Sequence, residues 1–85
     1  MTSITVKVGS SVGLHARPAA TIADAAAKLD HAVTISHPGG DPVDAGSTLM
    51  IMTLDAKAGD AVVVASDDEQ AAKAIADLVA ADLDT

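Results

Sequence analysis

The segment Gly13-Leu14-His15-Ala16-Arg17-Pro18-Ala19-Ala20 gathers the residue types of this chain that could do chemistry. His15 falls just before the first turn of a helix predicted to start at about residue 16, and Arg17 follows two positions later. At such a place the free backbone N–H groups and the positive end of the helix dipole converge beside the imidazole. Pro18 fits the same turn, whose N–H groups have no partners within the helix. Arg17 adds a permanent planar cation able to hold phosphate oxygens in a bidentate fashion. A nucleophilic ring, an anion cradle formed by the backbone N–H groups of Ala16 and Arg17, and no carboxylate nearby suit reversible phosphorylation of His15. A phosphoryl group in transfer carries its charge on the equatorial oxygens, so the protein's task is to position and neutralise it.

Other residues compete less well. A lone histidine at a helix start is in most proteins a surface residue, and the charge distribution described below is what shifts the balance for His15. His31 and His37 share strand parity and could face one side, but no third ligand stands at a sensible spacing, so they read as surface histidines and no metal site is expected. Met50 and Met52 could offer an adaptable binding surface, although their spacing suggests at least one lies in the core. Asp67-Asp68-Glu69 reads as a charge run that favours its own helix N-terminus.

The elements that must position His15 follow from periodicity. Ile4, Val6 and Val8 alternate with Thr5 and Lys7, as in a half-buried strand. The loop Gly9-Ser10-Ser11-Val12-Gly13 has two glycines able to take positive φ. The first helix then runs to Leu29, with Ala19, Ile22, Ala23, Ala26 and Leu29 as its apolar stripe and Asp24–Lys28 as an i,i+4 pair. Ala32–Ser36 reads as a second strand, and the turn His37–Asp41 leads to a short third strand over Pro42 to Ala45. Ser47 to Leu54 is ambiguous by periodicity, but Ser47 is a good N-cap, which favours a short helix. Ala61–Ala65 is strongly β-forming. A last helix opens at Asp67, with Gln70 three residues on as in a capping box, and buries Ala71, Ile75, Leu78, Val79 and Leu83. The order βαββαβα predicts a single α+β domain over residues 1–85, a mainly antiparallel sheet with helices on one face and Thr5, Lys7 and Thr34 on the other.

Composition removes whole classes of function. With 49% hydrophobic and 20% charged residues the 85-residue chain is globular rather than disordered. The cysteine count is zero, which excludes disulfides, thiolate catalysis and thiolate metal sites. Without Phe, Tyr or Trp there is no aromatic platform for nucleic-acid bases. A net charge of −7 repels phosphodiester backbones and anionic lipid heads, so neither nucleic acid nor membrane insertion is expected. The N-terminus lacks the pattern of a signal peptide and no run of about 18 apolar residues occurs, so a cytoplasmic monomer is expected.

Acidic residues avoid two stretches, Met1 to Ala23 and Ala45 to Leu54, while Lys7 and Arg17 lie in the first. Brought together, these stretches would form a neutral-to-positive apolar patch beside His15, a docking face for acidic partners. The heptapeptide Gly13-Leu14-His15-Ala16-Arg17-Pro18-Ala19 resembles the active-site motif of HPr, the histidine-containing phosphocarrier family of the bacterial phosphoenolpyruvate:sugar phosphotransferase system. The similarity covers essentially the whole chain, including Ser47…Met52-Thr53-Leu54 and the acidic start of the last helix.

The resemblance implies an open-faced sandwich, a four-stranded antiparallel sheet with three helices on one face. It implies a stoichiometric carrier rather than an enzyme, with no bound cofactor: phosphate passes from phosphoenolpyruvate through enzyme I to Nδ1 of His15, then to the EIIA domains of sugar permeases. Arg17 matches the arginine that assists transfer. Partner contacts would come from Ala16, Arg17, Ala20 and Thr21 on the first helix and Thr48, Leu49 and Met52 on the second. Ser47 aligns with a serine phosphorylated by a dedicated kinase in some branches, but its first role here is that of a helix cap. Gly46 stands where lysine is common and Met50 where glycine is frequent. Val12 replaces a residue that is often polar, and Pro38–Pro42 is longer than in many relatives, a difference confined to the hairpin tip. The alternative is a regulatory protein-binding module, or a nitrogen-branch phosphocarrier, using the same surface.

Overall fold

The computed structural model describes residues 1–81, in the order β1 (Thr2–Lys7), α1 (Ala16–Ala27), β2 (Val33–Ser36), β3 (Val43–Asp44), α2 (Thr48–Thr53), β4 (Ala61–Ser66) and α3 (Glu69–Ala80). The strands lie in the order β1-β4-β2-β3, every neighbouring pair antiparallel. The β-branched run of β4 therefore sits centrally, with Val64 opposite Ile4 on one side and Ile35 on the other. Along β4 burial alternates: Val62, Val64 and Ser66 are buried, while Ala61, Val63 and Ala65 are partly exposed. That period of two belongs to a sheet with one covered face. The three helices cover it, and Thr5 and Lys7 stand exposed on the other face with Thr34 half-buried.

Ile22 of α1, Ile51 of α2, Ile75 of α3 and Ile35, Val62 and Val64 of the sheet are all fully buried in one core. In the absence of aromatic side chains, packing relies on branched aliphatics and on alanine. Ala19, Ala23 and Ala26 of α1 and Ala71, Ala72 and Ala76 of α3 are buried, and such small side chains let helix backbones approach closely.

Several boundaries differ from the sequence reading. Helix α1 ends at Ala27 rather than Leu29, because its last turn tightens to i→i−3 bonds, Lys28 N–H to Ala25 O and Leu29 N–H to Ala26 O. Asp24 and Lys28 both stand in water, where such a pair gains little, and the expected ion pair between them does not form. Leu29 is only half-buried. Strand β2 starts one residue late, at Val33, and β3 keeps only Val43–Asp44 because Pro42 has no N–H to give a ladder. Helix α3 is capped by Asp68, not Asp67: the Asp68 carboxylate accepts from Ala71 N–H at 3.0 Å. Asp67 is directed instead to His31, 3.2 Å away, and the buried Ser66 hydroxyl accepts from Asp68 N–H while donating to Ala32 O at 2.8 Å. Leu83, expected in the buried stripe of α3, lies outside the described residues.

Candidate active site

The loop that carries His15 is held at both ends by the segment between α2 and β4. On leaving β1, Val8 donates its N–H to Asp60 O and accepts from Gly59 N–H, both at 2.9 Å. At the far end Leu14 N–H donates to Ala56 O at 2.9 Å, and the Leu14 side chain is buried. Between them Gly9 N–H donates to Val79 O at 3.0 Å, close to the end of α3. The two glycines serve different ends. Gly13 has φ +76°, and a Cβ there would meet Ala56 O at 2.5 Å. Gly9 has no positive φ; it is needed because a Cβ would fall onto the carbonyl of Ala80. Sequence marks Val79 only as a buried position of the last helix and gives no sign of the holding role of Ala56, Asp60 or Val79, since they act through backbone atoms that any residue supplies.

His15 occupies the N-cap of α1 in an extended conformation, and its side chain makes no capping bond. The other two helices behave differently. Ser47 Oγ accepts from Met50 N–H at 3.3 Å on α2, and Asp68 caps α3. At α1 the first intrahelical bond is Ala19 N–H to His15 O at 2.9 Å. Pro18 has no N–H, so Ala16 and Arg17 supply the two exposed donors of the first turn. No acidic residue lies in that turn. His15, Ala16 and Arg17 are all exposed, so an anion can reach ring and donors together.

Arg17 forms no ion pair among the described residues, whereas Lys57 is paired with Asp55 and Lys73 with Asp77. Its guanidinium is available to a phosphate. One turn on, Thr21 donates its hydroxyl to Arg17 O at 3.2 Å. Helix α2 packs beside α1 and adds Leu49, 71% exposed, and Met52, 38% exposed. Met50, at 41%, is also exposed, which corrects the expectation that one of the two methionines is core. A six-residue helix has room for one inward position facing the core, and Ile51 takes it. Ala20 and Thr48 are half-buried at the margin, Thr21 is exposed, and Val12 adds 44% exposure from the loop. The two stretches that avoid acidic residues thus meet where α1 packs against α2.

His31 and His37 do not converge. His31 Nδ1 faces Asp67, while His37 Nε2 lies 2.6 Å from Leu54 O. Among the described residues no group of three metal-ligating side chains occurs. No helix among them is long and apolar enough to cross a membrane.

The fold is an open-faced sandwich with a histidine at the uncapped, acid-free start of its first helix. Residues 2–81 match the family described as the PTS HPr component phosphorylation site. The chain is 44% identical over 70 residues to the phosphocarrier protein HPr of Streptomyces coelicolor, covering 82% of this chain and 75% of that protein. It superimposes on the crystal structure of HPr from Bacillus anthracis with a TM-score of 0.84 and 30% identity, covering 92% of this chain and 95% of that one. HPr from Thermoanaerobacter tengcongensis gives a TM-score of 0.82 and 33% identity over 93% and 91% of the two chains. The chain belongs to the HPr family of phosphocarriers of the phosphotransferase system.

Proposed function

We propose that this chain accepts a phosphoryl group on Nδ1 of His15 from phosphorylated enzyme I and passes it to EIIA domains of sugar permeases in the cytoplasm. The observation that carries this reading is the first turn of α1. Among the described residues it is the one helix start whose N-cap side chain leaves the backbone donors free, and that side chain is an imidazole. With the ring proton on Nε2, the Nδ1 lone pair attacks phosphorus as the donor's P–N bond breaks. The electron pair of that bond returns to the donor nitrogen, and the phosphoryl group changes hands without water. Ala16 N–H, Arg17 N–H and the Arg17 guanidinium would hold the equatorial oxygens. The reverse sequence delivers the group to EIIA, so the chain works stoichiometrically and needs no cofactor or metal of its own.

Partners would dock on Ala16, Arg17, Ala20 and Thr21 with Thr48, Leu49 and Met52, where exposed apolar side chains surround a cation. Ser47 serves first as the cap of α2. A phosphate on it would place negative charge on that docking face and weaken both partnerships. The test is incubation with enzyme I and phosphoenolpyruvate followed by intact mass. One added phosphate is expected, labile in acid, stable in base and lost in His15→Ala. A protein that gains none, or gains it without His15, sinks the reading.

A further inference from the structure

We propose that His37, on the β2–β3 hairpin, is a positioning residue for His15, acting through the turn at Leu54-Asp55-Ala56. This rests on the phosphocarrier reading and adds to it a residue remote in sequence from the site. The chain of contacts is short. The Leu54 carbonyl can only accept, so His37 Nε2 carries the proton and donates to it at 2.6 Å. Two residues on, Ala56 O accepts from Leu14 N–H at 2.9 Å, and Leu14 precedes His15. Ala56 and Leu14 are both 3% exposed, so water does not compete for that bond.

The turn between these two bonds needs an external hold. Asp55 has φ +50°, the only positive value at a non-glycine among the described residues. An L side chain is disfavoured there and persists only where the surroundings dictate it. Helix α2, which leads into the turn, has six residues, too few to be stable without tertiary contacts. Met50 O, Ile51 O and Met52 O accept from the Thr53 hydroxyl, Leu54 N–H and Asp55 N–H, whereas the carbonyl of Leu54, the C-cap, takes its donor from the His37 imidazole 17 residues away. The Lys57 ammonium, 3.1 Å from the Asp55 carboxylate, is exposed and holds more loosely. His37 therefore fixes the end of α2, which fixes the Ala56 carbonyl, which fixes the approach to His15.

The test compares wild type with His37→Ala and His37→Gln, whose side-chain amide can donate from about the place of Nε2. Two readouts are taken well below the melting temperature. Amide exchange should show Leu14 losing protection by about fivefold in His37→Ala, the factor of one ordinary hydrogen bond, with Ile22 and Val64 unchanged. Phosphorylation by enzyme I at saturating concentration should slow by about fivefold to tenfold with half-saturation unchanged, since misplacement of a reacting group acts on the step and not on docking. His37→Gln should restore most of both. Equal loss of protection throughout the chain, an undisturbed Leu14 amide, or an unaltered transfer rate overturns the proposal. A wild-type protein that accepts no phosphate overturns the functional reading and with it the catalytic half of this one, while Leu14 exchange alone still decides whether His37 holds the turn.

Discussion

Leu49 and Ile51 lie two positions apart on α2 and face opposite environments, 71% exposed against fully buried. Leu49→Glu should leave thermal melting nearly unchanged and abolish or weaken binding to enzyme I and EIIA, because the charge enters water in the free protein and an apolar contact in the complex. Ile51→Ala should behave in the opposite way, costing about 2–5 kcal/mol of stability through lost burial and a residual cavity. Melting and binding measured together separate the two roles, and collapsed melting in Leu49→Glu would mark that side chain as core. Arg17 is argued differently. It is exposed and holds no carboxylate among the described residues, so Arg17→Ala should fold normally. Its loss should fall on the transfer rate, on the order of 100-fold for removing one donor to a transferring oxyanion, with a smaller change in affinity. Stopped reactions at saturating partner measure this, and an effect confined to half-saturation would assign Arg17 to docking alone.

At the scale of elements, the His15 loop is the longest stretch between two elements in the fold, and its shape comes from its neighbours. Gly13 is where that dependence is most exposed to mutation. Gly13→Ala brings a left-handed backbone penalty of about 1–3 kcal/mol and a methyl group 2.5 Å from Ala56 O. Melting should fall by that amount or more, and phosphorylation of the folded fraction should slow because the Leu14 anchor moves with the clash. A variant that melts and transfers like wild type would show that the loop finds another path. The same logic separates the helices. Helices α2 and α3 are capped by Ser47 and Asp68, a stabilising arrangement of about 1 kcal/mol each. Helix α1 does without a side-chain cap, and its orphan N–H groups remain open to an anion.

For the whole molecule the dominant fact is 12 acidic against 5 basic residues. The ion pairs among the described residues, Lys57–Asp55 and Lys73–Asp77, and the His31–Asp67 contact are all solvent-exposed and contribute little each. Repulsion among the unpaired carboxylates therefore outweighs them, and salt screens both, the larger repulsive part more. The melting temperature should rise by a few degrees between low and physiological ionic strength, the shift that about 0.5 kcal/mol produces in a domain of this size. A melting temperature that falls with salt would mean that the surface pairs dominate. The same charge bears on the proposed docking face: an acidic partner would be repelled by the rest of the surface and least by the acid-free stretches.

How much of this was legible in the sequence depends on the range of the interaction concerned. Periodicity over β1, α1, β4 and α3, the N-cap at Ser47 and the heptapeptide around His15 are local properties, and each element and the site segment could be read from neighbouring residues. The α1 boundary and the cap of α3 could not, because a tightened last turn and the competition of His31 for Asp67 enter only once the chain is folded. The exposure of Met50 was also hidden, since a six-residue amphipathic run does not say which way it faces until Ile51 finds the core. What only the tertiary structure decided is the hold on His15. Val8, Gly9 and Leu14 are fastened to Asp60, Gly59, Val79 and Ala56 through peptide groups, which every residue carries and no side chain announces. The nucleophile we propose, His15, is legible in residue types. Its placement depends on backbone bonds between segments some 40 to 70 residues apart, and those exist only in the folded chain.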